Sequence, residues 1–178
     1  MSFPKRYADF VARLRVPTGF LLVAAFAWLS RPTVESLAWG APISIAGLLL
    51  RGWAAGHLAK NRQLATTGPY AYTRNPLYLG TLLVALGLSI AAQSLWLAAL
   101  FAVVFAFVYL PVIELEEQHL RKLFPEYARY AERVPRLGVR LPGSGGGGFR
   151  WELYLRNREY QALAGYLGGL AFLYWKAI

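Results

Sequence analysis

Gly68-Pro69-Tyr70-Ala71-Tyr72-Thr73-Arg74-Asn75-Pro76-Leu77-Tyr78-Leu79-Gly80 sets two prolines, three tyrosines, an arginine and an asparagine against the start of an apolar run. A polar, aromatic, turn-forming stretch in that position marks a boundary between membrane and water. Outward from it, the chain is a series of long apolar segments. Of its 178 residues, 57% are hydrophobic and 16% charged, against about 25% charged in an ordinary soluble domain. It holds no cysteine, which excludes disulfides, thiolate metal sites and a cysteine nucleophile. The net charge of +10 comes from basic residues that flank the apolar runs. That placement suits anchoring beside anionic lipid headgroups better than nucleic-acid binding, for which no basic-plus-aromatic reader module is visible.

The apolar runs cover about Pro17 to Ser30, Leu37 to Gly56, Leu77 to Ala92, Leu95 to Ile113 and Tyr160 to Ile178. The expected fold is therefore all-α and integral to the membrane, with about five transmembrane helices. A signal peptide competes for the first run, but no small-x-small cleavage site follows it and its polar lead is long, so an uncleaved helix is expected. Several runs fall near or below the roughly 20 residues a bilayer core needs. Only Gln93-Ser94 and their neighbours part the third run from the fourth, which makes a tight antiparallel hairpin. Sixteen of the 19 Lys and Arg lie in the N-terminal arm, the connection between runs two and three, and residues 114–159. Arg31 and Lys176 lie on the other side, and Arg51 sits inside the second run. This asymmetry predicts a cytoplasmic N-terminus, an outside C-terminus and a multi-pass chain. It also puts the 68–80 stretch and Glu116-Glu117 on one cytoplasmic face.

The whole chain, 1–178, reads as a single membrane domain with a core at about 50–142. Beyond the fourth run, Glu116, Leu120, Leu123, Phe124, Tyr127 and Tyr130 share one helical face, so the helix should continue out of the bilayer. Pro125 disfavours helix at Phe124 and suits the first position of a second short helix carrying Tyr127 and Tyr130. Residues 142–148, PGSGGGG, read as a flexible linker. Residues 149–178 read as an interfacial helix with Trp151, Tyr154 and flanking arginines, followed by the C-terminal span.

Ionisable residues at or inside a membrane are costly to place, and so are candidates for function. They are Arg51, His57, Arg74, Glu114, Glu116, Glu117 and His119. Each has a plainer role open to it: Arg51 can snorkel, His57 can cap the second run, and the glutamates can pair with Arg121 or Lys122.

GPYAYTRNPLYLG resembles the signature of the isoprenylcysteine carboxyl methyltransferase and phospholipid methyltransferase superfamily, G-P-Y-x-x-x-R-[HN]-P-x-Y-x-G opening a membrane helix. Glu116-Glu117, Leu120, Phe124, Tyr127, Tyr130 and Val134-Pro135-Arg136 are similar to its second motif. Asn75 stands where many members carry histidine, and Pro125 where glycine is usual. The resemblance covers roughly residues 50–142 and implies a membrane enzyme that binds S-adenosylmethionine at the cytoplasmic face and methylates a lipidic or hydrophobic acceptor. It implies cofactor contacts from Gly68, Pro69, Tyr70, Tyr72, Arg74, Asn75, Pro76, Tyr78, Glu116, Glu117, Tyr127 and Tyr130. Arg74 can grip a carboxylate in bidentate fashion; Glu116 or Glu117 can accept from an ammonium or ribose; the tyrosines can pack on adenine or the sulfonium. Arg74, Glu117 and His57 are the expected catalytic residues, and no spacing suggests a metal.

Two other readings stand beside it. A sterol-type membrane reductase using NADPH has a similar R-H-P-N-Y-x-G segment, but an acidic residue usually follows its glycine, and Thr81 follows Gly80 here. A non-catalytic membrane scaffold is the other. For an acceptor, Leu82, Leu86, Phe101, Phe105 and Tyr109 would line a pocket between the spans. Gly165, Gly168 and Gly169 on the last span permit close helix approach, within the chain or in a homodimer.

Overall fold

The computed structural model describes residues 4–140 and 146–178, with the side chains of residues 5, 8, 12, 15 and 16 left aside. Among them, all regular structure is helical. Helix α1 is Lys5–Leu29, α2 is Val34–Ala55 and α3 is Pro76–Ala91. Helix α4 runs unbroken over Leu95–Leu123, with one π-helical segment at Phe105–Tyr109. Short helix α5 is Tyr127–Arg133, α6 is Trp151–Arg156 and α7 is Tyr160–Ala177.

Each turn has a local cause. Thr33 and Ser36 form a reciprocal capping box that starts α2, and Ser36 Oγ also donates to the Ala91 carbonyl at 2.7 Å. Gln93 takes the left-handed conformation (φ 49°) that lets α3 reverse into α4 within three residues, and Ser94 caps α4. Pro76 opens α3 at the position where its missing N–H costs nothing. Pro111 cannot donate to the carbonyl four residues back, and the Phe107 carbonyl instead accepts from Tyr7 Oη of α1 at 2.8 Å. Pro125 lies in a turn two residues ahead of α5 rather than opening it. Glu126 and the turn it closes take the helix-start role that Pro125 was expected to fill.

The tightest packing is between antiparallel α2 and α3. Gly40, Ser44 and Gly47 of α2 face Gly87, Val84 and Gly80 of α3. A Cβ on Gly47 would lie 2.6 Å from the Gly80 carbonyl oxygen, and one on Gly80 would lie 2.7 Å from the Gly47 carbonyl oxygen. Small residues at this spacing let two backbones touch, the usual means of joining helices where water supplies no hydrophobic drive. Ser44 Oγ donates to the Val84 carbonyl inside the same seam. Gly165, Gly168 and Gly169 of α7 serve no such contact, since a Cβ there meets nothing within 4 Å.

At one end of the bundle Leu37, Ala91, Leu97 and Leu173 form a core with Phe26 and Phe172. Exposed Trp28, Trp39, Trp96 and Trp175 surround that end. The remaining two tryptophans, Trp53 and Trp151, are exposed at the other end, where α2 finishes and α6 sits. Between the two belts Phe20, Leu21, Val103, Phe107 and Leu167 point outward. By length and composition, α4 is the one helix among the described residues that qualifies to cross a membrane, with shorter apolar stretches at Pro17–Leu29 and Pro76–Ala91. Helix α3 falls short because it has 16 residues, about 24 Å at 1.5 Å each. Helix α2 is diluted by the polar and glycine residues of its seam.

Candidate active site

The end of the bundle ringed by Trp53 and Trp151 gathers the C-terminus of α2, the N-terminus of α3, the last turns of α4 and the start of α7. The 68–80 stretch is held there by backbone. Gly68 takes φ +58°, and its α-carbon lies so close to the His57 ring that any side chain would collide with it. Gly68–Ala71 then winds a 3₁₀ turn. Arg74 N–H donates to the Pro135 carbonyl at 2.9 Å, and Arg140 N–H to the Tyr72 carbonyl at 3.0 Å. These two bonds lay the segment after α5 along the segment before α3, which brings the two sequence motifs together.

Behind that contact lies a buried ionic knot. Glu117 is 3% exposed. Its Oε2 accepts from Arg136 Nε (3.1 Å) and Nη2 (2.8 Å), and its Oε1 from Asn75 Nδ2 (3.2 Å). Arg74 Nε stands 3.4 Å from the same carboxylate. Asn75 spends its second amide proton on the Arg136 carbonyl at 3.1 Å, so one NH₂ group serves both motifs. Arg136 Nη2 also reaches Glu114 at 2.7 Å. Burial opposes the Arg136 charge, but hydrogen bonds and attraction from Glu117 and then Glu114 outweigh it and raise its pKa. Glu114 and Glu117 therefore pair with Arg136, and Glu117 also with Arg74, not with Arg121 or Lys122.

Three tyrosines wall the knot. Tyr130 Oη donates to the Tyr70 carbonyl at 2.7 Å. Arg74 Nε and Tyr127 Oη are buried beside Glu117 without a well-formed hydrogen bond. Burial, with the Glu117 charge second, pushes the Tyr127 phenol up to about 12. Burial likewise raises Tyr70 and Tyr130, so all three are neutral hydroxyls at physiological pH.

In front of the knot opens a cavity of about 720 Å³. Arg51, Lys60, Tyr78, Glu116, His119 and Tyr109 supply its polar and aromatic lining. Tyr78 Oη donates to Glu116 Oε1 at 2.9 Å across α3 and α4, and the Tyr109 ring meets Tyr78 edge-on. The π-helical segment ends at Tyr109; such segments re-aim side chains by one position. Arg51 does not snorkel. Its guanidinium grips Glu159, at the N-cap of α7, through Nε–Oε1 at 2.6 Å and Nη2–Oε2 at 3.1 Å, and donates to Thr81 Oγ1 and the Leu77 carbonyl.

Of the residues expected at the site, Tyr78 and Glu116 line this cavity. Arg74, Asn75, Glu117, Tyr127 and Tyr130 lie in the knot behind it. Gly68, Pro69, Tyr70 and Pro76 are buried in the turn that presents α3. Tyr72 turns to the opposite side, its ring 6.2 Å from Trp53. His57 lies there too: Nδ1 is 3.0 Å from the Trp53 carbonyl and Nε2 3.1 Å from the Gly147 carbonyl. His57 thus holds the described end of the glycine-rich stretch, of which residues 142–145 lie outside the described residues. The expected acceptor lining is divided. Leu82, Leu86 and Phe101 border a crevice of about 280 Å³, Phe105 is packed in a core with Tyr78 and Ile113, and Tyr109 faces the main cavity. Lys60, Thr81, Glu159 and the pairing of Arg136 were not anticipated. No group of three or more His, Cys, Asp or Glu side chains is placed to hold a metal among the described residues.

A sequence model of the phospholipid methyltransferase family matches residues 15–127. The chain is 38% identical over 116 residues to the cobalt-zinc-cadmium resistance protein CzcN of Cupriavidus metallidurans, covering 64% of this chain and 52% of that one. It is 35% identical to the nickel-cobalt-cadmium resistance protein NccN of Alcaligenes xylosoxydans xylosoxydans over a similar extent, 64% of this chain and 53% of that one. Protein-S-isoprenylcysteine O-methyltransferase of Schizosaccharomyces pombe is 28% identical over 141 residues, 76% of this chain and 59% of its own. The chain spans between half and three fifths of the length of these curated relatives. No solved structure matches it.

Proposed function

The chain belongs to the phospholipid methyltransferase family, and we propose that it is a multi-pass membrane methyltransferase that uses S-adenosylmethionine on a lipidic acceptor. The observation that carries this reading is the Tyr78–Glu116 bond, which joins the two family motifs across the mouth of one polar cavity. Exposed tryptophans at both ends of the bundle, with an outward apolar girdle between, support a chain seated across a bilayer. Most of its lysines and arginines lie at the end that carries the cavity, which supports a cytoplasmic active site.

The donor set fits the cofactor's chemistry. Arg51 and Lys60 suit its carboxylate, Glu116 its ammonium or a ribose hydroxyl, and the faces of Tyr78 and Tyr109 its adenine or sulfonium. Bound there, S-adenosylmethionine supplies an electrophilic methyl group. Methyl transfer is a direct displacement, so the chain's work is to align donor and acceptor. The apolar wall of Val112, Leu115 and Leu120 lowers the polarity on one side of the site, which favours loss of the positive charge on sulfur. His119 and Glu116 are the cavity residues able to take a proton if the acceptor carries one. Arg74, Asn75 and Glu117 act as positioning residues: they fix the register of α3 against α4, and so the Tyr78–Glu116 pair.

Thermal unfolding of the detergent-purified chain tests this with S-adenosylmethionine, S-adenosylhomocysteine and NADPH added separately. At a hundredfold over its dissociation constant a native-state ligand adds about 2.7 kcal/mol. That is a rise of roughly 5–11 °C for a chain of this size. The adenosyl compounds should give it and NADPH should not. A shift with NADPH alone would mean a reductase.

A further inference from the structure

Asn157 and Glu159 lie beyond the residues that match the family, yet they hold one wall of the polar cavity. That wall comes from α2 and the turn after it, as Arg51, Leu58, Lys60 and Asn61. The facing wall, with Tyr78, Tyr109 and Glu116, belongs to α3 and α4. Asn157 closes α6. Its Nδ2 donates to the Ala55 carbonyl at 3.0 Å and to the Leu58 carbonyl at 2.9 Å. Both amide protons are thus spent where α2 ends and leaves carbonyls to be satisfied. Arg150 N–H adds a bond to the Gly56 carbonyl at 3.0 Å. Lys60 and Asn61 follow at the tip of a turn that the Arg62 and Gln63 N–H groups close on the Ala59 carbonyl. Asn157 therefore fixes the stem from which Lys60 reaches the cavity.

Glu159 does the same for Arg51. A guanidinium has five N–H donors. Glu159 takes one from Nε and one from Nη2, and the Leu77 carbonyl and Thr81 Oγ1 engage Nη1. One N–H remains, on Nη2. Without the fork an arginine at this depth would snorkel toward water; a bidentate carboxylate fixes its plane. Glu159 also balances the Arg51 charge, so the net positive charge of this wall is that of exposed Lys60. Between the two side chains, Arg158 takes φ 54°, a left-handed backbone that residues other than glycine seldom adopt. Such a conformation persists where the surroundings enforce it. Here it reverses the chain so that Asn157 and Glu159 both meet α2.

We infer that Asn157 and Glu159 are positioning residues for ligand binding. Glu159 aims the last N–H of Arg51, Asn157 sets Lys60, and together they place two donors on the carboxylate of the cofactor. The segment from α6 to the start of α7 is then part of the site rather than an added anchor. This inference rests on the methyltransferase reading of the cavity.

The test compares S-adenosylhomocysteine with its decarboxylated analogue, which keeps the adenosyl group and the amine and lacks only the carboxylate. Each is titrated calorimetrically into the full detergent-purified chain, as the parent, Glu159→Gln and Asn157→Leu. The parent should bind S-adenosylhomocysteine at least about tenfold more tightly than the analogue. In each variant that affinity should fall about fivefold or more, while the analogue binds within about twofold of the parent. Retained binding of the analogue shows that the variant is folded. Should Glu159→Gln not fold, Asn157→Leu decides, since it strands no buried charge. Equal loss of both ligands would mean a merely structural role and would overturn the proposal. Tighter S-adenosylhomocysteine binding in Glu159→Gln would also overturn it, because Glu159 would then mask Arg51 instead of aiming it. Parent binding that neither variant alters would refute the positioning role alone. A parent chain that binds neither compound would refute the methyltransferase reading and the positioning role with it.

Discussion

Replacing Glu117 by glutamine should cost far more stability than replacing Glu116, its neighbour on the same helix. Glu117 is 3% exposed and faces two guanidiniums. Arg136 keeps Glu114 at 2.7 Å and is a third solvent-accessible, so its loss is partly compensated. Arg74 is 11% exposed and has no other carboxylate within reach among the described residues. Removing one member of a buried pair costs about 3–5 kcal/mol. With Arg136 compensated and glutamine isosteric, about 3 kcal/mol is expected, a fall of roughly 6–12 °C in midpoint for a chain of this size. Glu116→Gln keeps an acceptor for Tyr78 and removes no ion pair, so about 1 kcal/mol or less is expected. The assay is thermal unfolding by tryptophan fluorescence in one detergent. Arg74→Met should be destabilising alone and should recover part of the loss in the Glu117→Gln background, because each removes the other's uncompensated charge. Equal midpoints for the two glutamate variants, or strictly additive Arg74 and Glu117 effects, would refute the assignment of Glu117 to a structural knot.

Gly80→Ala puts a methyl against the Gly47 carbonyl and the Arg51 side chain. Overpacking of about 1–3 kcal/mol is expected, seen as a lower unfolding midpoint, and an unchanged midpoint would contradict the seam. Gly68→Ala combines a left-handed backbone with a collision on the His57 ring, so it should cost at least about 1–2 kcal/mol; the same midpoint measurement checks it. Tyr127 has a folded pKa of about 12 against about 10 unfolded. The stability it contributes is therefore intact below pH about 10 and lost as pH rises through about 12. Tyr127→Phe should flatten that part of the alkaline unfolding curve, and an unchanged slope between those values would contradict it.

Helix identity was legible in the sequence because the apolar runs are long and bounded by proline, glycine and serine. The Gln93-Ser94 reversal and the continuation of α4 past Glu116 both follow from local pattern. The family resemblance was legible for a similar reason, since each motif lies on a short stretch. What could not be read was pairing at a distance. Arg51 meets Glu159 across 108 residues, and neither position carries a local sign of the other. Arg136 stands 19 residues beyond Glu117, past a turn whose geometry Pro125 alters. Arg121 and Lys122 were the nearer partners by helical spacing, but both are exposed, and Arg121 lies over the Tyr127 ring at 5.5 Å instead of reaching a carboxylate. The α2–α3 seam was missed for another reason. Its small residues are spread over two helices, whereas Gly165, Gly168 and Gly169 stand together in α7 and face no neighbour.

The most direct test of the account is transfer of a tritiated methyl group from S-adenosylmethionine into lipid. Membranes containing the chain would be incubated with labelled cofactor and a total lipid extract, and the organic phase counted. The account predicts organic-phase label that is lost in Glu116→Gln and in Arg51→Met while both variants remain folded. Label absent from the organic phase with the parent chain, or undiminished in both variants, would contradict it.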